Sequence, residues 1–339
     1  MNDYPFEPVA VNWKRPPVDR GIMRQCTQRS DIKGLLHCLG SLAILGASGA
    51  VAYLMFSAGR WGWMAVALYI HGGLHAFQPQ THELSHGTLF RTRWINSLFR
   101  RIFGLVFWTG NSALYRMSHE YHHRYTLHRK SDGEVILPMP EVPEAVLHSA
   151  IRVVDVTAVL VTLYDQIYFL FKPFENNPRR GTWLRYAYAN SSRERQRDLY
   201  WTHVSQLLFH ALFSAASIAS GHWFLIVVVT LPGFYGGKWY STWVHDTMHV
   251  GRQPETDDFR LCCRSVRLDP VTSFLYWHME FHTEHHTFPG IPCYNLKRFY
   301  NLTREHWEPP MSLVAAWREM HRKSREHLCL PVKDAPPAG

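Results

Sequence analysis

At 339 residues, with 46% hydrophobic and 14% aromatic content, the chain is too apolar for a disordered polymer and long enough for one large domain or two ordinary ones. Its formal net charge of +9 raises nucleic acid as a partner, but no basic stripe falls inside a recognisable nucleic-acid-binding motif, and no nucleic acid is expected. Six cysteines (Cys26, Cys38, Cys262, Cys263, Cys293, Cys329) show neither CxxC nor ferredoxin-like spacing, which predicts thiols and no disulfide framework.

Residues 1–33 read as a polar arm with several prolines, carrying Lys14, Arg15, Arg20, Arg24, Arg29 and Lys33. From Gly34 to Phe56 there is no Asp, Glu, Lys or Arg, and after Arg60 the run Trp61 to Thr81 is equally free of them. A span needs roughly 20 apolar residues, so residues 34–77 predict a transmembrane hairpin. The charged arm is too long for an ordinary secretory signal, and the first run is expected to be retained. The basic arm, set against Arg60 as the only charge in the two outer turns, fits the positive-inside pattern and puts the N-terminus in the cytoplasm.

Residues 78–200 are expected to form a large cytoplasmic insertion. Within it Trp94 to Trp108, apolar residues flanked by paired arginines, predicts an in-plane helix. Ile151 to Phe171 is long enough to cross but holds Arg152, Asp155 and Asp165, and predicts an interfacial or protein-packed helix instead. Residues 201–243 predict a second hairpin, folded at Ser220-Gly221-His222 and bent in its last helix by Pro232-Gly233 and Gly236-Gly237. Residues 244–339 return to the cytoplasm, with a tail that frays from Pro331 onward. Arg91, Arg93, Arg100, Arg101, Arg179 and Arg180 would face an anionic inner leaflet. The expected fold is an all-α integral membrane protein: four transmembrane helices in two hairpins, both termini cytoplasmic, and a cytoplasmic helical cap holding a histidine-rich dimetal site.

That site is read from ten histidines in four groups: His82 and His86; His119, His122 and His123; His245 and His249; His282, His285 and His286. Side chains three or four apart share a helix face, so each group can aim its imidazoles at one point. HELSH, and HEYHH read from His119 to His123, also match the zinc-protease pattern H-E-x-x-H, with the glutamate as general base. A protease would use two histidines and one further ligand, leaving HDTMH and HTEHH without a role, so Glu83 and Glu120 are expected to be outer-sphere or helix-surface residues. A histidine-rich metal transporter is the other alternative, but its path would need ionisable groups inside spans that here lack Asp and Glu. Eight to ten imidazoles suffice for two metals; zinc is redox-inert and usually tetrahedral, whereas iron accepts imidazole ligands, tolerates five or six positions and can activate oxygen.

The order His82-x-x-x-His86, His119-x-x-His122-His123 and His282-x-x-His285-His286, followed by TFPGIPCYNL and separated by paired apolar runs, resembles the membrane fatty acid desaturase and hydroxylase superfamily. The resemblance covers roughly residues 34–305. It implies two iron ions, O2 as co-substrate, electrons from an external donor, and attack on an unactivated C–H bond of a lipid or other amphiphile to give a double bond or an alcohol. The donor would be a separate ferredoxin-, rubredoxin- or cytochrome-type protein. Stearoyl-CoA desaturases of this superfamily carry Asn and His four residues apart after the last span. By position His249 would then ligate, while His245, standing where those enzymes have Asn, would ligate directly, act through water or orient Asp246. The first box has three intervening residues where some members have four.

Among the remaining residues, His71 and His75 are expected to hydrogen-bond across the helix interface, and His278 to support the third box. Asp132, His128, Asp246 and Glu284 are candidates to hold a ligating imidazole in its tautomer. Trp239, Tyr240, Trp243, Tyr276 and Trp277 are expected to pack, anchor at the interface or line a substrate tunnel.

Overall fold

The computed structural model describes residues 8–128, 130–132, 134, 147, 150–151, 153–154, 156–171 and 182–328. Arg152, Asp155, Arg179, Arg180, Cys329 and the tail from Pro331 lie outside the described residues. The fold is helical, and the strand pairing consists of a two-residue parallel pair, β1 (Val266–Arg267) with β2 (Met311–Ser312), among the described residues.

The N-terminal arm is docked more firmly than its composition suggested. Trp13 stacks on Phe259 with ring centroids 3.9 Å apart and donates from Nε1 to Arg124 O at 2.9 Å. A short helix, α1 (Arg20–Cys26), then leads to Ser30, whose hydroxyl caps α2 (Asp31–Ser57) by accepting from Lys33 N. Among the described residues α2 is the one helix long and apolar enough to cross a membrane. After a turn at Ala58-Gly59, α3 (Trp61–His75) packs back along α2. It has only 15 residues, about 22 Å, shorter than a bilayer core of about 30 Å. It stops short because Pro79 lacks an N–H to continue the ladder and instead opens α4 (Pro79–His86).

The helix α5 (Arg93–Val106) follows, burying Asn96, Phe99, Arg100 and Phe103 and exposing Trp94, Leu98 and Arg101. Next come α6 (Ser112–Tyr125), α7 (Val156–Phe171) and α8 (Thr182–Ala189). Gln166 on α7 donates to Trp108 O, and its carbonyl meets His203 Nε2 at 2.6 Å, so one face of α7 is packed on protein while Leu160, Ile167 and Phe171 are exposed.

The second hairpin departs from expectation in its return arm. The long helix α9 (Arg193–Ala219) turns at Gly221 into α10 (Phe224–Val229), which has six residues and gives way to a 3-10 turn at Pro232–Phe234 before α11 (Trp239–His245). The predicted bend is a full break. Pro232 withholds a donor, and the 235–237 backbone lies so tightly on α3 that a Cβ at Gly72 would collide with Tyr235 O. The four transmembrane helices expected correspond to α2, α3, α9 and α10, of which α2 alone, among the described residues, is long and apolar enough to cross a membrane.

The chain closes with α12 (Phe259–Cys262), α13 (Pro270–Leu275), α14 (His282–Thr287), α15 (Cys293–Leu302) and α16 (Leu313–Leu328). An apolar cluster that includes Phe90, Phe103, Trp277, Leu296 and Phe299 also takes in Leu84 of α4 and Phe281 and Phe288 at the two ends of α14. Trp277 is fully buried and donates to Ser41 Oγ at 2.9 Å, tying this core to α2. Cys26, Cys38, Cys262, Cys263 and Cys293 are buried free thiols.

Candidate metal centre

Three helices, α4, α6 and α14, carry eight of the histidines, and His249 follows a 3-10 turn at Asp246–Met248. α4 ends at Gly87, whose φ of +67° lets the chain leave sharply, and its i, i+4 pair His82 and His86 faces inward. α6 is capped by Asn111 Oδ1, which accepts from Ala113 N and Leu114 N. On α6, His119 and His123 share one face and His122 is turned to the next. α14 reverses this pattern, with His282 and His286 on one face and His285 on the other.

The result is two groups. His82, His86, His119, His123 and His285 form one, and His122, His249, His282 and His286 the other; within each, one nitrogen per ring lies within 4.8 Å of all the rest. Facing Nε2 atoms are 3.0 Å apart for His119 and His123, 3.2 Å for His123 and His285, 3.2 Å for His122 and His249, and 2.8 Å for His249 and His282. Nitrogens bound at about 2.1 Å to one ion would stand about 3 Å apart, so these spacings match the edge of a coordination polyhedron. Both ring nitrogens of His82, and Nε2 of His86 and His286, are buried without a protein partner. Such orphans are costly unless a cation binds them.

Electrostatics favour the same use. Burial first, and then neighbouring imidazoles, hold His82, His86, His123, His249, His282, His285 and His286 well below the usual histidine range, leaving the neutral rings a metal requires. For His122 burial acts in the same sense but is outweighed by Asp132 and Glu134, which raise it to about 9. Outer partners set the tautomers: His122 Nδ1 meets Asp132 Oδ2 at 3.0 Å, His119 Nδ1 meets Glu134 Oε2 at 3.0 Å, and His249 Nδ1 meets Cys262 O at 3.1 Å. His286 Nδ1 lies 3.1 Å from Thr126 Oγ1. In each case the hydrogen is held outside and Nε2 is left facing in.

His245 stands outside both groups. Its Nδ1 is 2.8 Å from the Tyr276 hydroxyl, and it borders a cavity of about 380 Å³ that also touches His82 of the first group and His282 of the second. Asp132 was foreseen as a partner; Glu134, Thr126 and Tyr115 were not. Glu134 sits in a loop with no periodic pattern, and its nearness to Asp132 was the available signal. Burial opposes its ionisation, yet His119 and His122 draw its carboxyl down to about 2.

The other candidates have separate partners. His71 bonds Ser48 Oγ and Val228 O, as expected of an interface histidine, while His278 bonds Ser273 Oγ and His128 bonds its neighbour Thr126 O. Glu284 accepts from Ser265 Oγ, and Asp246 makes no side-chain hydrogen bond to a histidine among the described residues. Trp243 stacks on Trp317, and Tyr276 lines the cavity. The protease reading is not supported by the two glutamates. Glu83 turns into the core, where Oε1 accepts from Thr88 Oγ1 and from Cys293 N at the start of α15, and Glu120 pairs with Arg195 at 2.6 Å on the surface.

The model of the fatty acid desaturase family matches residues 58–319. The sphingolipid delta(4)-desaturase DES1 of Drosophila melanogaster is 22% identical over 263 residues, covering 73% of this chain and 68% of that protein. The sn-1 oleoyl-lipid 12-desaturase of a Picosynechococcus species is 22% identical over 237 residues, covering 67% of this chain and 64% of that protein.

Proposed function

This chain belongs to the fatty acid desaturase family, membrane-bound oxidoreductases of lipid metabolism, and from that premise we propose that its two histidine groups hold two iron ions for O2-dependent desaturation or hydroxylation of an amphiphile. The convergence of nine imidazole nitrogens into groups of five and four carries this reading. When bound, the irons would supply activation of O2, with two electrons from outside, and attack on an unactivated C–H bond.

The protein's own contribution is charge and position. Neutral imidazoles leave the metal charge uncancelled, while Asp132 and Glu134 balance it from outside and fix which ring nitrogen faces inward. His82 and His282 bring one member of each group to the cavity wall, so a substrate there would meet both groups. The first group has one histidine more than the second, and His245, outside both, borders the cavity that touches His82 and His282. Exposed Leu36, Val51, Trp63 and Ile70 on the first hairpin, with Leu208, Leu212 and Ile218 on α9, make an apolar outer surface suited to a bilayer. A multi-pass chain with its termini and site on the cytoplasmic side would meet a separate ferredoxin-, rubredoxin- or cytochrome-type donor there.

The test is to purify the protein, measure iron per chain and oxygen uptake with reductant, and compare lipids and metabolites of an expressing host by mass spectrometry. The expected product has lost two hydrogens or gained one oxygen. Stoichiometric zinc without iron, and no oxygen uptake with substrate and reductant, would refute the reading.

A further inference from the structure

Leu127 is fully buried, yet its φ of +58° lies in the left-handed region that a leucine enters only under constraint. The conformation has a use. It turns Leu127 N onto Asp132 Oδ2 at 2.8 Å, the same oxygen that meets His122 Nδ1 at 3.0 Å. Glu255, with a φ of +53°, repeats the strain, and its N donates to Leu127 O at 3.3 Å. Two loops, each with a left-handed residue, are thus joined to one another behind the second histidine group.

Those loops supply that group's outer contacts. Asp132 serves His122, Thr126 Oγ1 lies 3.1 Å from His286 Nδ1, and Cys262 O lies 3.1 Å from His249 Nδ1. Three of the four rings are therefore oriented from residues 126–132 and 255–263. Of the five rings in the first group, His119 is held from this side, by Glu134, whose N donates to Asp132 Oδ1 at 3.0 Å.

A strained loop keeps its shape when its surroundings over-determine it. Here the N-terminal arm does so. Trp13 stacks on Phe259 with the rings 12° from parallel, stands edge-on to His128 at 5.6 Å, and donates to Arg124 O, 111 residues along the chain. Phe259 in turn lies 5.6 Å, ring to ring, from His286. Val9 N donates to Ser131 Oγ at 3.3 Å, and Lys14 N to Asp257 O at 2.7 Å. The ion pair of Lys14 with Asp257 is exposed on both sides and adds little, so the indole is the main tie.

We propose that Trp13 is a positioning residue for the metal centre: it straps the two loops together and so holds His122, His249 and His286 in the orientation that binds the second ion. The ion rests on the iron reading above; the strapping of the loops does not.

Two measurements on the full-length protein in lipid nanodiscs test this. In the first, ferrous iron is withdrawn anaerobically from the loaded protein by chelators of graded strength. In Trp13→Ala one iron per chain should be held about tenfold more weakly, the low end for loss of support behind a ligand, and the other should move far less. The effect runs through the loops, so in an Asp132→Ala background Trp13→Ala should add little. A general loss of stability would instead weaken both ions together and add in full to Asp132→Ala. The second measurement is amide hydrogen exchange of the metal-free protein. Trp13→Ala should speed exchange at Leu127, Asp132 and Cys263 and leave the amides of α4 as they were. If Trp13→Ala yields too little folded protein, Trp13→Phe keeps the stack, loses the donation to Arg124 O, and should shift both readouts the same way by less. Equal weakening of both ions, no weakening of either, full additivity with Asp132→Ala, or unchanged exchange at the loops would overturn the proposal. A parent chain that takes up no iron yet shows the loop-specific exchange would refute the iron reading and leave the strap standing. Two irons per chain, indifferent to Trp13→Ala, would do the reverse.

Discussion

Glu83 shows how far a side chain's role can depart from the motif that contains it. In HELSH it occupies the position of a metalloprotease base, yet it is fully buried and binds Cys293 N and Thr88 Oγ1, joining the first histidine helix to the helix after the third box. Burial pushes its carboxyl up to about 7, so a neutral isostere is tolerated there. Glu83→Gln should keep iron content and activity, whereas a protease base would lose its activity with that change. Glu83→Ala strands the Cys293 N–H and should cost about 1–3 kcal/mol in unfolding free energy, measured by denaturant titration. Asp132 acts directly on a candidate ligand, since it holds His122 Nδ1 and also accepts from Leu127 N and Glu134 N. Asp132→Ala should weaken metal affinity about 10–100-fold, read by competition with a chelator of known strength. The pair His245 and His249 divides by geometry. His249→Ala should lose one iron of the two, and His245→Asn should keep both, because His245 stands outside both groups. Loss of an iron in His245→Asn would make it an obligatory ligand.

At the scale of the helix, sharing a face was legible and rotation was not. Spacing of three and four put His82 with His86 and His119 with His123, as the structure does. It could not say that His122 would join His282 and His286, because that depends on how α6 and α14 are turned about their axes, and packing on the shared apolar core sets that. Glu134 was illegible for a different reason: it lies in a loop, where no periodicity links residue number to direction. The break after α10 was half-legible, since Pro232-Gly233 and Gly236-Gly237 announced a bend. Its severity comes from α3, where Gly72 lets the 235–237 backbone lie against the helix and Gly237 N reaches Tyr69 O at 3.2 Å. Gly72→Ala forces a methyl into Tyr235 O and should destabilise the protein by about 1–3 kcal/mol, seen as a lower melting temperature. The same change shifts the segment that carries Lys238 to the cavity wall, so substrate affinity should fall with it.

For the whole molecule, the arrangement of the two hairpin turns decides which side of a membrane the histidines would face. Phe56, near the end of α2, stacks on Phe224 with centroids 3.9 Å apart, and Tyr53 OH meets His222 Nδ1 at 2.6 Å, so the turns at Gly59 and Gly221 lie together. The other end of α2 is tied to the third-box region, where Ser30 N donates to Tyr294 OH at 2.7 Å and Asn295 Nδ2 donates to Cys26 O. With 27 residues, α2 separates these ends by about 40 Å, close to the thickness of a bilayer with its headgroups. The short α3 and the broken return through α10 do not alter this polarity, because Phe56, Trp223 and Phe224 hold their outer ends against α2. If the molecule spans a membrane, both turns must emerge on one side and the histidine helices on the other. Single cysteines at Arg60 and at His222 should react with an impermeant maleimide on intact cells, and cysteines at Lys130 and Lys297 only after permeabilisation. The native thiols Cys26, Cys38, Cys262, Cys263 and Cys293 are buried and should add little background. Labelling of Lys130→Cys and Lys297→Cys from opposite sides would place the second and third boxes across the bilayer from each other, and two metal groups built jointly from α6 and α14 could not then exist.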